Sequence, residues 1–131
     1  MAACLHNIGN VHLHKGDLNK ALDCHERSLA IRKERGDKAG MGYSFNSFGL
    51  VYSEKGDYIK AEEYLEKSLS IQKEIGLKEI ELETTTYLYL SYKHLGKEYD
   101  VKEIHRLIKD DEDIEFEINF RIYELLEDKS Y

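Results

Sequence analysis

The chain has 131 residues, of which 34% are charged, 41% are apolar and none is proline, a composition typical of a helical protein in water. Its formal net charge of -7 would repel phosphate backbones and anionic lipid, which argues against nucleic-acid and membrane partners. No apolar run approaches the ~20 residues that span a bilayer, and the first residues lack the features of a signal peptide. We therefore expect a cytoplasmic protein that forms one compact domain or a short array.

One segment of the sequence recurs at a spacing of 40 residues. Residues 9–21 read GNVHLHKGDLNKA, residues 49–61 read GLVYSEKGDYIKA, and residues 89–101 keep the central glycine of this pattern. The three central glycines are Gly16, Gly56 and Gly96. A fixed period of a few tens of residues is the signature of stacked structural repeats, so we expect a repeat array.

Each period contains two stretches with apolar residues three and four positions apart, which predicts two helices, called A and B. In the first two repeats the helices are separated by a Gly-Asp pair, in which glycine can take positive φ and Asp can cap the next helix. The A helices are predicted over about 2–15, 38–54 and 79–95, and the B helices over about 18–35, 58–75 and 99–109.

Two of the glycines fall inside predicted A helices, where glycine costs about 1 kcal/mol relative to alanine. Gly9 and Gly49 occupy the same position of the repeat, as do Ala21 and Ala61 near the start of the B helices. We expect each glycine to lie opposite the alanine of its own repeat, so that the two helices can approach closely.

The last segment of the chain allows two interpretations. Residues 114–122 alternate strictly between apolar and polar, which alone predicts a β-strand, but the chain offers no second strand to pair with it. We therefore predict a helix over 112–128, the first helix of a truncated repeat. The acidic residues 110–113 before it lack the glycine of a calcium-binding loop, and we interpret them as a solvated linker.

The residues at the start of the first two repeats resemble a known family. Residues 5–12 read LHNIGNVH, residues 45–52 read FNSFGLVY, and each is followed by a spaced Ala and Ser in helix B. This pattern resembles the tetratricopeptide repeat, although Leu5 replaces an aromatic residue, the closing proline is absent and the unit is longer. The longer unit looks like the extended-helix branch of the family found in polarity adaptors, kinesin light chains and bacterial signalling proteins.

The repeat and this resemblance predict an all-α fold, an α-α superhelix of three stacked antiparallel hairpins plus a C-terminal helix. We expect a single array over residues 1–131, divided into repeats at 2–37, 38–77 and a divergent third at 78–110, followed by the helix at 112–128. Solenoids normally end in polar capping helices, and both ends of this array lack them. The chain is therefore expected to be part of a longer array or to cover its ends by association.

Nothing in the sequence predicts catalysis or a cofactor. There is no HExxH motif, no glycine-rich phosphate loop and no pair of histidines four residues apart. Cys4 and Cys24 form no metal-binding or disulfide pattern, and we expect both to be small packing residues. The six histidines are interpreted as core or surface residues: His6, His12, His14, His25, His94 and His105.

The resemblance implies a non-catalytic scaffold that binds a protein or peptide partner in a concave groove lined by the A helices. Two alternatives remain, a peptide-sensing regulatory domain of a bacterial signalling protein and a structural segment that associates with itself through its ends. The groove residues implied by the family pattern are Asn7, Asn10, Tyr43, Asn46, Leu50, Ser53, Thr86, Leu90, Lys93 and His94.

Overall fold

The computed structural model describes residues 1–100 together with Lys102, Glu103 and Arg106, and this part of the chain is built from α-helices. The described helices are α1 (Ala2–His14), α2 (Leu18–Arg35), α3 (Lys38–Lys55), α4 (Tyr58–Ile75) and α5 (Lys78–Leu95). They agree within one residue with the predicted helices, and the all-α prediction is confirmed. Most of the predicted helix over 99–109, the acidic linker and the helix over 112–128 lie outside the described residues.

Glycines end the helices at a spacing of 20 residues. Each has a positive φ, between 67° and 81°, a conformation that costs glycine no steric strain. Of the two predicted caps, Asp57 accepts a hydrogen bond from the backbone N–H of Lys60, whereas Asp17 makes no capping hydrogen bond through its side chain. Asp37, which was not predicted as a cap, accepts a hydrogen bond from the backbone N–H of Gly40. The five glycines with positive φ are Gly16, Gly36, Gly56, Gly76 and Gly96.

The helices pack in sequence order as antiparallel hairpins, and the two hairpins α1–α2 and α3–α4 reuse the same contacts. The Ser28 hydroxyl of α2 donates to the carbonyl of Ala2 at 2.9 Å, and Ser68 of α4 donates to the carbonyl of Gly42 at 2.7 Å. Each of these residues lies 40 positions from its counterpart. The sequence period is therefore a period of packing.

Gly9 inside α1 and Gly49 inside α3 lie against large side chains of the following helix. A Cβ atom on Gly49 would lie 2.3 Å from Cγ of Leu65, and one on Gly9 would lie 2.7 Å from Nε2 of His25. The glycines therefore make room for the large side chains at positions 25 and 65, which sequence reasoning did not identify as their neighbours, and their opposition to Ala21 and Ala61 stays a prediction. Both alanines are fully buried, so their small size still serves the packing of the hairpins.

The apolar core lies in the middle of the array. The ring of Tyr64 on α4 stacks on Phe48 and Tyr52 of α3, with centroid distances of 5.1 and 5.6 Å. Nine of the buried apolar residues form two clusters, one of Leu29, Phe45 and Phe48, and one of Ala61, Leu65, Leu82, Tyr87, Leu88 and Leu90.

Helix α1 buries only part of its apolar residues. Leu5 is buried against the hairpin, but Ile8 and Val11 are exposed by 43% and 50%. Cys4 is also exposed, so its predicted role as a packing residue is wrong, whereas Cys24 is buried as expected. The reason is that in the described part of the chain no helix packs on the side of α1 away from α2 and α3.

Candidate protein-binding groove

The inner face of the array is formed by the A helices α1, α3 and α5. Some Cα atoms of α1 lie within 8 Å of Cα atoms of α3, and the same is true of α3 and α5. No Cα atom of α2 lies within 8 Å of one in α4. The A helices therefore lie closer together than the B helices, so the described array curves with α1, α3 and α5 on its inner side.

The predicted groove residues differ widely in accessibility. Three are buried: Asn46, Thr86 and Leu90. Two are exposed, Asn7 and His94, and five are half-buried, Asn10, Tyr43, Leu50, Ser53 and Lys93. The structure therefore brings part of the predicted row to the inner face and takes other members into the packing between helices.

Asn46 is buried because it joins α3 to α5. Its Oδ1 accepts a hydrogen bond from the Thr84 hydroxyl at 2.7 Å, and its Nδ2 donates to Glu83 at 2.9 Å. Thr84 in turn accepts a hydrogen bond from Nε2 of Gln72 at 2.7 Å. The prediction that Asn46 presents its amide to a ligand is corrected, because both ends of the amide bind neighbouring side chains.

Thr86 and Leu90 are also corrected as surface residues. The Thr86 hydroxyl donates to the carbonyl of Leu82 in its own helix, and Leu90 belongs to the core cluster against which Leu50 packs. Ser53 is half-buried, and its hydroxyl oxygen is buried with no hydrogen-bond partner among the described residues.

Asn7 and His94 lie apart from the other predicted groove residues. Asn7 shares its repeat position with Ser47 and Tyr87, both of which are buried, so it belongs to a side of the A helix that the internal repeats cover. His94 stacks on Tyr58 of α4, with ring centroids 4.1 Å apart and planes 3° apart. A ligand at either residue would lie off the inner face.

The accessible row on the inner face is centred on Asn10 and Leu50, which occupy the same repeat position in α1 and α3. Tyr43 and Lys93 lie on this side too, but both already have interaction partners within the protein. A ligand that used these two side chains would therefore compete with existing contacts.

The joint between α1, α2 and α3 contains a buried cation that sequence reasoning missed. Nη1 of Arg32 donates to the carbonyl of Gly40 at 2.9 Å and to the Ser44 hydroxyl at 3.0 Å, and lies 3.5 Å from Nδ1 of His6. At the next joint Gln72 and Thr84 stand where Arg32 and Ser44 stand here. Gln72 lies 40 residues after Arg32, and Thr84 lies 40 residues after Ser44. This offset is the feature of the sequence that could have identified both pairs as residues of the joints.

His25 lies beside this joint and is fully buried. Its ring is 5.1 Å from that of His6, and neither of its nitrogens has a hydrogen-bond partner in the described part of the chain. Burial, and then the charges of His6 and Arg32, lower the pKa of His25 to about 4. Burial and the charge of Arg32 also lower the pKa of His6 to about 4, so both rings are neutral at pH 7.

Replacing Asn46 by alanine should lower the stability of the protein, because it removes the buried hydrogen bond that joins α3 to α5. The change leaves the Thr84 hydroxyl without its acceptor in a buried site, which costs roughly 1–3 kcal/mol of unfolding free energy. Urea denaturation of Asn46→Ala measures this loss, and Thr84→Val with Asn46→Ala completes a double-mutant cycle. If the two single losses simply add in the double variant, the hydrogen bond between them contributes nothing and this account is wrong.

The structure offers no obvious metal centre or membrane segment in the residues it describes. Over residues 1–100 and the three described residues beyond them, no three His, Cys, Asp or Glu side chains are grouped so that they could hold a metal ion. None of the five described helices is long and apolar enough to cross a bilayer.

Comparison with known families identifies the repeat. The sequence pattern of the tetratricopeptide repeat matches residues 1–74, which cover α1 to α3 and nearly all of α4. Comparison with curated proteins gave no match. The match spans more than half of the chain and coincides with the two hairpins that share the packing of Ser28 and Ser68. The chain therefore belongs to the tetratricopeptide repeat family.

Proposed function

We propose that the protein is a non-catalytic scaffold that binds a peptide or a partner helix along the inner face of α1, α3 and α5. Tetratricopeptide repeats generally mediate protein–protein interactions. The observation that supports this use of the inner face is the accessible row of Asn10 and Leu50 on adjacent A helices, flanked by Tyr43 and Lys93. A concave face of this kind fits an extended peptide or one face of a helix.

The chemistry of the row supports a ligand with mixed polarity. At the shared repeat position the side chain is an amide in α1, Asn10, and a leucine in α3, Leu50. An amide can both donate to and accept from a peptide backbone, whereas leucine accepts only apolar groups. The ligand would therefore place a polar backbone segment at α1 and an apolar side chain at α3.

The spacing of the helices sets the spacing of these two contacts. Packed helices lie ~8–10 Å apart. An extended peptide advances ~3.3 Å per residue, so the backbone contact at α1 and the apolar side chain at α3 should be about three residues apart. In a helical ligand the same distance corresponds to about six residues, a little under two turns, at ~1.5 Å per residue.

A peptide selection tests the proposal directly. Peptides selected from a random library against the full chain should show the predicted spacing and bind in calorimetric titration. Asn10→Arg should weaken their binding about tenfold or more, because the longer charged side chain fills the row. The matched change Asn19→Arg, at an exposed position on α2, should leave the affinity unchanged. Equal affinity for both variants, or no selected peptide, would contradict the proposal.

A further inference from the structure

Helix α1 carries an apolar strip that no described helix covers. Cys4, Ile8 and Val11 are all exposed and lie at steps of four and three residues, which places them on one side of the helix. Met1, three residues before Cys4, extends the strip and is 82% exposed. We call this set of four residues the α1 strip.

The repeat shows how the protein treats the same side of an internal helix. Forty residues after Cys4, Ile8 and Val11, helix α3 carries Ser44, Phe48 and Val51, whose exposed fractions are 0%, 3% and 0%. Helix α2 contacts two of them, since its Arg32 donates a hydrogen bond to the Ser44 hydroxyl and its His25 ring lies 6.3 Å from the ring of Phe48. The α1 strip is therefore a helix-packing surface by its repeat position, and a helix is the kind of element that fits it.

The charges of the chain indicate which helix can lie there. Between Ala2 and His14, α1 contains no Asp, Glu, Lys or Arg, although 19 basic and 26 acidic residues occur in the whole chain. Interior helix α3 resembles it, with charged residues only at its ends, at Lys38, Glu54 and Lys55. Two copies of this acidic protein can therefore meet through the middle of α1 without opposing like-charged side chains, and interfaces are depleted of charge at their centres.

We propose that two copies of the chain associate through their α1 strips, with the two helices antiparallel about a two-fold axis near Ile8. Such an interface uses the same surface on both copies. The antiparallel arrangement places Cys4 of one copy opposite Val11 of the other, and brings the two Ile8 side chains together. It also opposes the helix dipoles and keeps the two Lys15 side chains at opposite ends of the contact.

The size of the strip makes this a weak, concentration-dependent dimer. A helix of 13 residues is ~20 Å long, and one helix face covers much less than the ~800 Å² per partner of a standard stable interface. Each copy carries a formal charge of -7, so the remaining surfaces repel each other. Association should consequently strengthen when salt screens this repulsion. The inference does not depend on the inner-face ligand, because the strip lies on another side of α1.

Sedimentation equilibrium of the full chain, from about 5 to about 500 μM, tests the dimer. The average mass should rise toward twice that of the monomer, and should rise further at about 0.5 M salt. Ile8→Glu should weaken association about tenfold or more, since it places two carboxylates at the axis. Ile59→Glu is the matched control, because Ile59 is 71% exposed on α4 and should leave association unchanged. Both changes are at exposed positions, and circular dichroism checks that the helices persist.

Charge reversal distinguishes the two-fold contact from other modes of association. Ile8→Lys alone should remain monomeric, and an equal mixture of Ile8→Lys and Ile8→Glu chains should form a mixed dimer at low salt. A monomeric wild-type chain over the whole concentration range would overturn the proposal. So would association that Ile8→Glu leaves intact, or a charge-reversed mixture that stays monomeric.

Discussion

Replacing Gly49 by alanine should destabilise the protein, although alanine is the better helix former. The added Cβ would lie 2.3 Å from Cγ and 2.4 Å from Cδ2 of Leu65, a side chain that is itself fully buried. Alanine gains about 1 kcal/mol of helix propensity over glycine. Forcing α3 away from α4 typically costs 1–3 kcal/mol, and a contact this short falls at the upper end, so we expect a net loss of roughly 2 kcal/mol. Gly49→Leu should cost more.

Gly42 provides the matched control for this prediction. It lies in the same helix, but a Cβ there would be 3.2 Å from Cγ2 of Ile71, a distance that a small shift of the isoleucine relieves. We expect Gly42→Ala to change the unfolding free energy by less than about 1 kcal/mol. Thermal and urea unfolding of both variants measure the difference. Equal stability of Gly49→Ala and Gly42→Ala would show that the close approach of α3 to Leu65 is unimportant.

The helices of this fold could be predicted from the sequence because their boundaries have local causes. Gly16, Gly36 and Gly56 each take a positive φ, and Asp57 caps the helix after it, so residue type alone marks the ends. The partner of Gly49 could not be predicted in this way. Which side chain of α4 fills the space beside Gly49 depends on how the two helices cross, which no residue pattern within either helix determines.

The candidate groove was predicted less completely than the fold, for a related reason. The family pattern assigns the same inward-facing positions to every A helix, but the distance between neighbouring helices decides which of them remain accessible. Asn46 is buried because Thr84 is small and lies close enough to donate to it. The same repeat position in α1 holds His6, which is half-buried and 3.5 Å from Nη1 of Arg32. Periodicity thus located the row, and the side chains at each joint decided its exposure.

Acid should destabilise the joint of α1, α2 and α3 before the carboxylates of the protein titrate. The ring of His25 faces that of His6 and lies near the guanidinium of Arg32. The ring of Tyr43 lies 6.5 Å from that of His6. The nearby carboxylate is Asp37, whose charge acts on Arg32. Protonation would therefore bring further positive charge into a buried site that already holds a guanidinium. The joint is stable because both imidazoles remain neutral.

The direction of the pH dependence follows from the lowered pKa values. In the unfolded chain a histidine has its ordinary pKa of 6.5, and in the folded protein His25 and His6 have pKa values of about 4. The unfolded state therefore binds more protons between these values, and stability is lost as the pH falls from about 6.5 toward 4. Between pH 7.5 and 5, where most carboxylates remain ionised, His25 alone should account for a loss of roughly 2 kcal/mol.

The variant His25→Leu separates this effect from general acid denaturation. Leucine already occupies the equivalent position, Leu65, beneath Gly49, so a leucine beneath Gly9 should fit. It also removes two buried nitrogens that lack partners among the described residues, so we expect it to raise stability at pH 7.5 by about 1–2 kcal/mol. Urea unfolding at intervals from pH 7.5 to 5 should show a shallower loss of stability for His25→Leu than for the wild-type chain, with the remainder due to His6. Parallel pH profiles for the two proteins would mean that His25 is not held neutral by the fold, since a histidine with an ordinary pKa contributes no pH dependence to stability.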